Sequence, residues 1–294
     1  MPYMVSVVKR KKGNGTFYYL KHSTSTRQKE IYLGKEVPGD LDERKKRFLL
    51  DFYREEWIPK LEIIYKRYKD EIKRTPKQAI RQNIEAFEVL FTYNTQRIEG
   101  STLTFRDIVD LLVHGITPSR KPEQDMVEAK LHQQVFSEIL KREKPLSLKT
   151  VNYWHTKMFN KTKPQFAGQV REYAVYVKGS RVKFPKWEDV PKLLDDFFSW
   201  YKKIRGKINP VEIAGLAHIR FTTIHPYGDG NGRIARLITN YILDNFGYPL
   251  LDIKFTDRMP YYRAQEKAQL QNNEVYFLQW FIKYYIKANK MNLH

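Results

Sequence analysis

A chain of 294 residues with 41% hydrophobic and 14% aromatic content can bury a full core, as one large domain or two modest ones, which excludes a disordered chain. The absence of cysteine rules out disulfides, thiolate nucleophiles and Cys-ligated zinc. A formal net charge of +20 attracts polyanions without choosing among nucleic acid, anionic membrane surfaces and acidic proteins, and a diffuse basic surface is also common in enzymes.

In chain order, Tyr3 to Val8, Thr16 to Leu20 and Glu30 to Gly34 alternate with period two around the turns Lys12-Gly13-Asn14-Gly15 and a Ser/Thr run. Residues 1–38 therefore read as a small antiparallel β element of unassigned role, closed by Pro38-Gly39-Asp40. Its Lys9 to Lys12 cluster reads first as a solvated face. From Leu41 to about Arg142 apolar residues recur at three- and four-residue spacing, with Pro76 and Pro118 separating helices, so 39–142 reads as helical. Ser147 looks like the cap of the next helix. Between Gly168 and Pro185 the period returns to two, with Lys178-Gly179-Ser180 as a turn, which predicts a hairpin inserted in a helical body. Helices resume at Trp187 and run to the end, 283–294 closing the last one. No apolar run reaches the length of a membrane span, and Met1 to Lys12 is too basic for a signal peptide; a cytoplasmic protein without a membrane partner is expected.

The chemistry concentrates in Ile224-His225-Pro226-Tyr227-Gly228-Asp229-Gly230-Asn231-Gly232-Arg233-Ile234-Ala235-Arg236. The pattern predicts a helix ending near Ile224, a glycine-rich loop, and a helix starting near Asn231. Glycines let backbone N–H groups approach a ligand, and a helix N-terminus adds free donors and the positive end of a dipole. Arg233 and Arg236 share a face, so loop amides and two guanidiniums form a cradle for a polyphosphate. Asp229 can hold a divalent cation between phosphates, and His225 can take a proton near neutral pH. A Gly-Asn-Gly alone is an ordinary turn, and a lone His before Pro an ordinary histidine. The conjunction is what carries weight, and it matches neither a P-loop nor a dinucleotide fingerprint.

That run resembles the Fic (Fido) family signature His-Pro-Phe-x-Asp-Gly-Asn-Gly-Arg-x-x-Arg, departing only at Tyr227, where the family has Phe. The segments Pro210 to His218, Gly247-Tyr248-Pro249, Tyr261-Tyr262 and Gly168-Gln169-Val170-Arg171 look like family segments around it, over about residues 91 to 285. The resemblance implies a mainly α, Fic-type helical bundle with a β-hairpin flap and a catalytic core over 146–282. It implies a protein adenylyltransferase that moves AMP from ATP to a Tyr, Ser or Thr hydroxyl of a target protein. By the same resemblance His225 is the base, and Asp229 holds Mg²⁺. Gly230, Asn231 and Gly232 line the anion hole, and Arg233 and Arg236 meet the β- and γ-phosphates. Val177, Lys178 and Gly179 belong to the flap beside the nucleotide and target, and Tyr261 and Gln269 flank the adenine. His155 and His218 read as structural.

Upstream, Thr95-Gln96-Arg97-Ile98-Glu99-Gly100 alone is a helix ending at glycine. Beside such a core it resembles the family's inhibitory helix, here about 88–100, whose Glu99 pairs with Arg236. The partners implied are ATP and a target protein with an acceptor hydroxyl, with self-modification and oligomers open and nucleic-acid binding at most weak and non-specific. Two other enzyme readings stand beside this one. In the first, Glu99 orients water to remove AMP. In the second, phosphoryl transfer of the Doc branch, the intact Gly232 is an argument against. A nucleic-acid-binding regulator is the reading from another class, and charge is its sole support.

Overall fold

Three antiparallel strands form where the alternation predicts them: β1 (Ser6–Lys12), β2 (Gly15–Ser23) and β3 (Gln28–Gly34), in the order β1-β2-β3. The computed structural model describes residues 5–177 and 179–293, so Tyr3, Met4 and Lys178 lie outside the described residues. Lys12 pairs with Gly15 across a two-residue turn, and β2 slips register against β3 between Tyr18 and Tyr19. Leu20 and His22 are buried, and the His22 ring meets Phe52 edge-on at 4.7 Å. Phe52 lies on the long helix α1 (Leu41–Arg74), where Tyr53 also stacks on Trp57. Glu55 of the same helix accepts from Arg27 and Lys29. The opposite face of the sheet carries Phe17, Tyr19 and Tyr32 with Arg10 over the Tyr19 ring. The chain divides into two compact units between Lys60 and Leu61, inside α1. The first unit therefore contains the start of that helix as well as the sheet.

The second unit is helical. After α2 (Lys77–Ile98), α3 (Phe105–Leu112), α4 (Glu123–Leu140) and α5 (Leu148–Phe159) come α6 (Val190–Ile204), α7 (Pro210–Ile224), α8 (Asn231–Asn245), α9 (Arg258–Leu270) and α10 (Val275–Ala288). Local signals set the starts. Ser147 Oγ accepts from the Thr150 N–H at 3.2 Å, Thr104 and Asp107 form a capping box, and Asn209 caps α7 ahead of Pro210. The pair α7 and α8 forms the centre: 11 of the 15 residues of α7 and 12 of the 15 of α8 are buried, so both are wrapped on all sides. α6, α9 and α10 pack against α7, and α2, α4 and α5 against α8. Among the described residues no helix is long and apolar enough to cross a membrane.

Two expectations need correction. The helix expected at about 88–100 is the last part of a longer α2, which ends at Ile98 with Glu99 as its C-cap. Among the described residues of the stretch from Gln169 to Lys186 there is no strand ladder, so the predicted hairpin is a pair of irregular legs. Its tip does turn, with the Ser180 N–H donating to the Val177 carbonyl at 3.0 Å and Gly179 at φ +81°. A buried guanidinium ties the two legs instead of a ladder. Arg171 donates to the Tyr173 carbonyl at 2.8 Å on one leg and to the Pro185 carbonyl at 2.7 Å on the other.

Candidate active site

The junction of α7 and α8 is where the two most buried helices change direction, and its residues explain how. Pro226 has no N–H to continue the ladder of α7, and His225 turns left-handed at φ +50°. That conformation costs a non-glycine residue roughly 1–2 kcal/mol. It is held on both sides. The His225 N–H donates to the Phe221 carbonyl at 3.0 Å, and the His225 carbonyl accepts from Arg171 Nε at 2.8 Å. The Asn231 side chain closes the loop by accepting from the Tyr227 N–H at 2.9 Å and donating to the Tyr227 carbonyl at 2.8 Å. The fully buried Tyr227 ring stacks on His155 at 3.9 Å. Its hydroxyl, the departure from the Phe of the signature, donates to Asn152 at 2.6 Å, so it has a partner where Phe would leave none. Gly230 starts α8 at φ +78°, and a Cβ there would meet the Phe159 ring at 2.5 Å.

His225 Nδ1 lies 3.2 Å from the Thr222 carbonyl, which can only accept, so Nδ1 carries the proton and Nε2 offers a lone pair. Burial pulls the imidazole down to about 4, leaving it neutral over the physiological range. The Phe184 ring covers it at 4.0 Å. His155 is engaged on both nitrogens, accepting from the Gly168 N–H at 2.8 Å and donating to the Asp229 carbonyl at 2.9 Å. His218 bridges Thr239 and Tyr261 in the core. Neither has a nitrogen left for a substrate.

Both arginines of the cradle are buried, and each meets a glutamate from another helix. Arg236 donates through Nε to Thr95 Oγ1 at 2.6 Å and through Nη2 to Glu99 Oε1 at 2.5 Å. Thr95 and Glu99 are one turn apart at the end of α2, so both reach the same guanidinium. Burial opposes the charge of Arg236, and Glu99 and Tyr261 outweigh it, so its proton is held more firmly than usual. Gly100 follows at φ +97° with no atom within 4 Å of a Cβ position. At Gly232 a Cβ would stand 2.5 Å from Glu99 Oε1 and 3.2 Å from Arg236 Nη1. Arg233 pairs with Glu128 of α4, a residue only 5% exposed, and lies 4.5 Å from the Phe159 ring. Asp229 accepts from the Gly230 N–H at 2.6 Å and from Lys163 Nζ at 2.7 Å. Burial works against its charge, but Arg233 and Lys163 outweigh it and hold the carboxyl below the usual range.

The residues expected beside adenine and target fare differently. Tyr261 is 1% exposed, with its hydroxyl bonded to His218 at 2.9 Å and Arg236 at 3.2 Å, so it is a core residue and does not flank a cleft. The exposed ring on that helix is its neighbour Tyr262, 39% open, whose hydroxyl donates to the Ile98 carbonyl at 2.6 Å. Gln269 lines a cavity of about 350 Å³ with Phe197, Trp200, Thr223 and Ile224, and its amide is 3.4 Å from Thr223 Oγ1. Val177 is 43% exposed at the flap tip.

Glu128, Lys163 and Arg171 were not singled out for the site by sequence. Glu128 had a signal, because it falls in phase with Ala129, His132, Val135, Phe136 and Ile139 on the buried stripe of α4, where a carboxylate needs a partner. Arg171 ends the run Gly168-Gln169-Val170-Arg171, where nothing local distinguishes its side chain. Lys163 stands in a loop with no periodic signal.

Residues 145–243 match the model of the Fic/DOC family. Over 203 residues the chain is 31% identical to "Protein adenylyltransferase Fic" of Nematostella vectensis, covering 67% of this chain and 45% of that protein. It is 27% identical over 221 residues to "Protein adenylyltransferase fic-1" of Caenorhabditis elegans, covering 73% and 42%. The chain thus spans under half the length of these curated relatives. In fold it is similar to a Fic domain containing signaling protein from Bacteroides thetaiotaomicron, with TM-score 0.72, 23% identity, and 80% and 95% of the two chains covered. It is similarly close to residues 134–508 of C. elegans Fic-1, with TM-score 0.72, 23% identity, and 87% and 78% covered.

Proposed function

Because this chain belongs to the Fic/DOC family through residues 145–243, we propose that it is a protein adenylyltransferase whose resting state is restrained by Glu99. The observation that carries this reading is a neutral, covered His225 with a free Nε2, set directly before a helix N-terminus that bears two buried arginines. In the reaction the target hydroxyl oxygen forms a bond to the α-phosphorus while the bond from that phosphorus to the bridging oxygen breaks. The hydroxyl proton passes to His225 Nε2, and pyrophosphate leaves with its charge met by Arg233, Arg236 and the amides at the start of α8.

Among the described residues no group of three or more His, Asp or Glu side chains could hold a metal by itself. Asp229 fits the other arrangement that suits Mg²⁺, one carboxylate completed by substrate phosphates and water, since it is ionised and its side chain is 40% exposed. A cation there supplies charge neutralisation to the phosphates. Adenine is assigned to the side of Gln269 and Tyr262, and the target to the flap, whose Tyr173, Tyr176 and Val177 are 44%, 86% and 43% exposed. The legs of that flap have no ladder partner among the described residues, so a target segment can add as a strand.

Glu99 restrains by occupying the guanidinium that the γ-phosphate needs. ATP then enters with that phosphate displaced and the α-phosphorus out of line. A second reading has an observation in its favour. Glu99 uses Oε1 on Arg236, and its 25% exposed side chain leaves Oε2 able to orient a water that strips AMP from a modified protein. Incubation with ATP labelled on the α- or on the γ-phosphate separates the readings. Retention of α-label alone supports adenylyl transfer, and γ-label alone means phosphoryl transfer. Loss of pre-installed AMP without new label means removal.

A further inference from the structure

Asp229 already has a cation. Its Oδ1 is taken by the Gly230 N–H at 2.6 Å and faces Arg233 Nη2 at 3.4 Å, so Oδ2 is the oxygen left for anything else, and Lys163 Nζ stands on it at 2.7 Å. Lys163 is 19% exposed at its side chain and is held from behind by Glu128 Oε1 at 3.0 Å. Its backbone is fixed as well, with its N–H donating to the Phe159 carbonyl at 2.7 Å. Glu128 also accepts from Thr162 Oγ1 at 3.0 Å, from Gln124 Nε2 at 3.0 Å and from Arg233. Two carboxylates and two cations thus form a closed, charge-neutral quartet at the mouth of the phosphate cradle.

We propose that Lys163 is the resident counter-ion of Asp229, standing where a divalent cation binds, so that the site accepts metal as its nucleotide complex and discriminates against the free ion. The inference rests on the reading of Asp229 as the metal carboxylate. A free divalent ion has to displace an ammonium from the one carboxylate oxygen still available. It finds no second acidic ligand in return, because Glu128 is surrounded by four donors. A metal–nucleotide complex brings its own oxygens and less net charge, while Glu128 retains the displaced ammonium. The loop of Lys163 is thereby made a positioning element for Asp229, and the lysine never touches the reacting atoms.

The test is binding of Mn²⁺ to the full chain by equilibrium dialysis with and without ATP, in which Mn–ATP not held by the protein equilibrates across the membrane and is not counted as bound. Removing one positive charge about 3 Å from the ligand oxygen gives Lys163→Met an expected gain of about tenfold in affinity for Mn²⁺ alone. Lys163→Arg keeps the charge and stays near the parent, and with ATP present the gap between Lys163→Met and the parent narrows. Lys163→Gln is the second variant should Lys163→Met melt early. Equal or weaker binding of Mn²⁺ by both neutral variants, with Asp229→Asn abolishing binding, overturns the role of Lys163. Undiminished Mn²⁺ binding by Asp229→Asn in the presence of ATP overturns the premise about Asp229 instead, and the two failures are thereby told apart.

Discussion

Arg233 and Arg236 lie one turn apart on α8, and each is met by a glutamate from another helix, yet the two meetings are built differently. Glu128 comes from the middle of α4, is 6% exposed at its side chain, and accepts from Arg233, Lys163, Thr162 and Gln124. Glu99 comes from the C-cap of α2, is 25% exposed at its side chain, and meets Arg236 as its ion-pair partner. The negative end of the α2 dipole disfavours a carboxylate at that place. A carboxylate with four donors is a fixture of the fold, whereas on the proposed function the one at a helix C-terminus, with a single ion-pair partner among the described residues, is the one that a phosphate exchanges. On that proposal the difference separates scaffold from latch.

The largest effect belongs to neither pair, and it tests whether both act on nucleotide rather than on proton transfer. His225→Ala is expected to lower transfer by about 10²- to 10⁴-fold with ATP affinity nearly unchanged, in the parent and in Glu99→Gly alike. Full activity in that variant removes the catalytic assignment. Because burial holds His225 down to about 4, the base form persists through neutral pH and the acid limb of the rate falls as pH drops through about 4. The same shift stabilises the fold above the ordinary histidine value near 6.5, and that contribution is lost as pH falls toward 4. His155, also about 4, and the core histidines His132 and His218, about 3, act in the same direction, so the melting temperature is expected to decline below pH 6.5.

Next in size is Glu128→Ala. It leaves the buried Arg233 with Asp229 Oδ1 at 3.4 Å as its remaining carboxylate and Lys163 without its second one, for which a loss of about 3 kcal/mol is expected in denaturant unfolding. Glu99→Gly also takes a carboxylate from a buried guanidinium, Arg236 at 2% exposure, but on the side where the glutamate is 25% open to water, so it is expected to cost less than Glu128→Ala and to raise transfer about 100-fold, including onto the protein's own hydroxyls. Adding Arg236→Ala to it removes the gain, because the phosphate site is then missing. If Glu99→Gly destabilises as much as Glu128→Ala, the contrast between scaffold and latch fails. If it leaves transfer unchanged and loses only AMP removal, the glutamate serves hydrolysis. Tyr227→Phe sets the lower end of the scale. It removes a hydroxyl bonded to Asn152 in the loop that both arginines follow, at an expected cost of about 1 kcal/mol in unfolding and little change in rate.

What could be read from sequence divides along the same physical lines. The loop chemistry is written in consecutive residues, from His225 to Arg236, and the spacing of Thr95 and Glu99 puts both on one helix face, so local rules suffice. Arg233 and Glu128 are 105 positions apart, and Lys163 and Asp229 are 66 apart, so no local period brings them together. Tyr261 faces the core while Tyr262 is open, because one residue along a helix rotates the side chain by about 100°, and the local pattern does not say which of two adjacent tyrosines is buried. The alternation of Val175 and Val177 gave the flap its extended legs, but alternation cannot say whether the legs pair. That depended on Arg171, whose guanidinium takes carbonyls from both of them.

Gly232 has a consequence for how this site can evolve. The space its missing Cβ leaves is the space the Glu99 carboxylate enters, with 2.5 Å between them where a methyl group would stand. On the proposed restraint, a mutation to any larger residue displaces the glutamate in the same step that narrows the cradle, so it does not release the site without also injuring it. Loss of the glutamate, by contrast, removes the 2.5 Å contact and leaves the cradle its full width, with Arg236 Nη1 still 3.2 Å from any Cβ at position 232. On the proposed restraint, release therefore has one route that spares the cradle, a change at position 99, and Gly232 stays required by the phosphate site whether or not the glutamate is there.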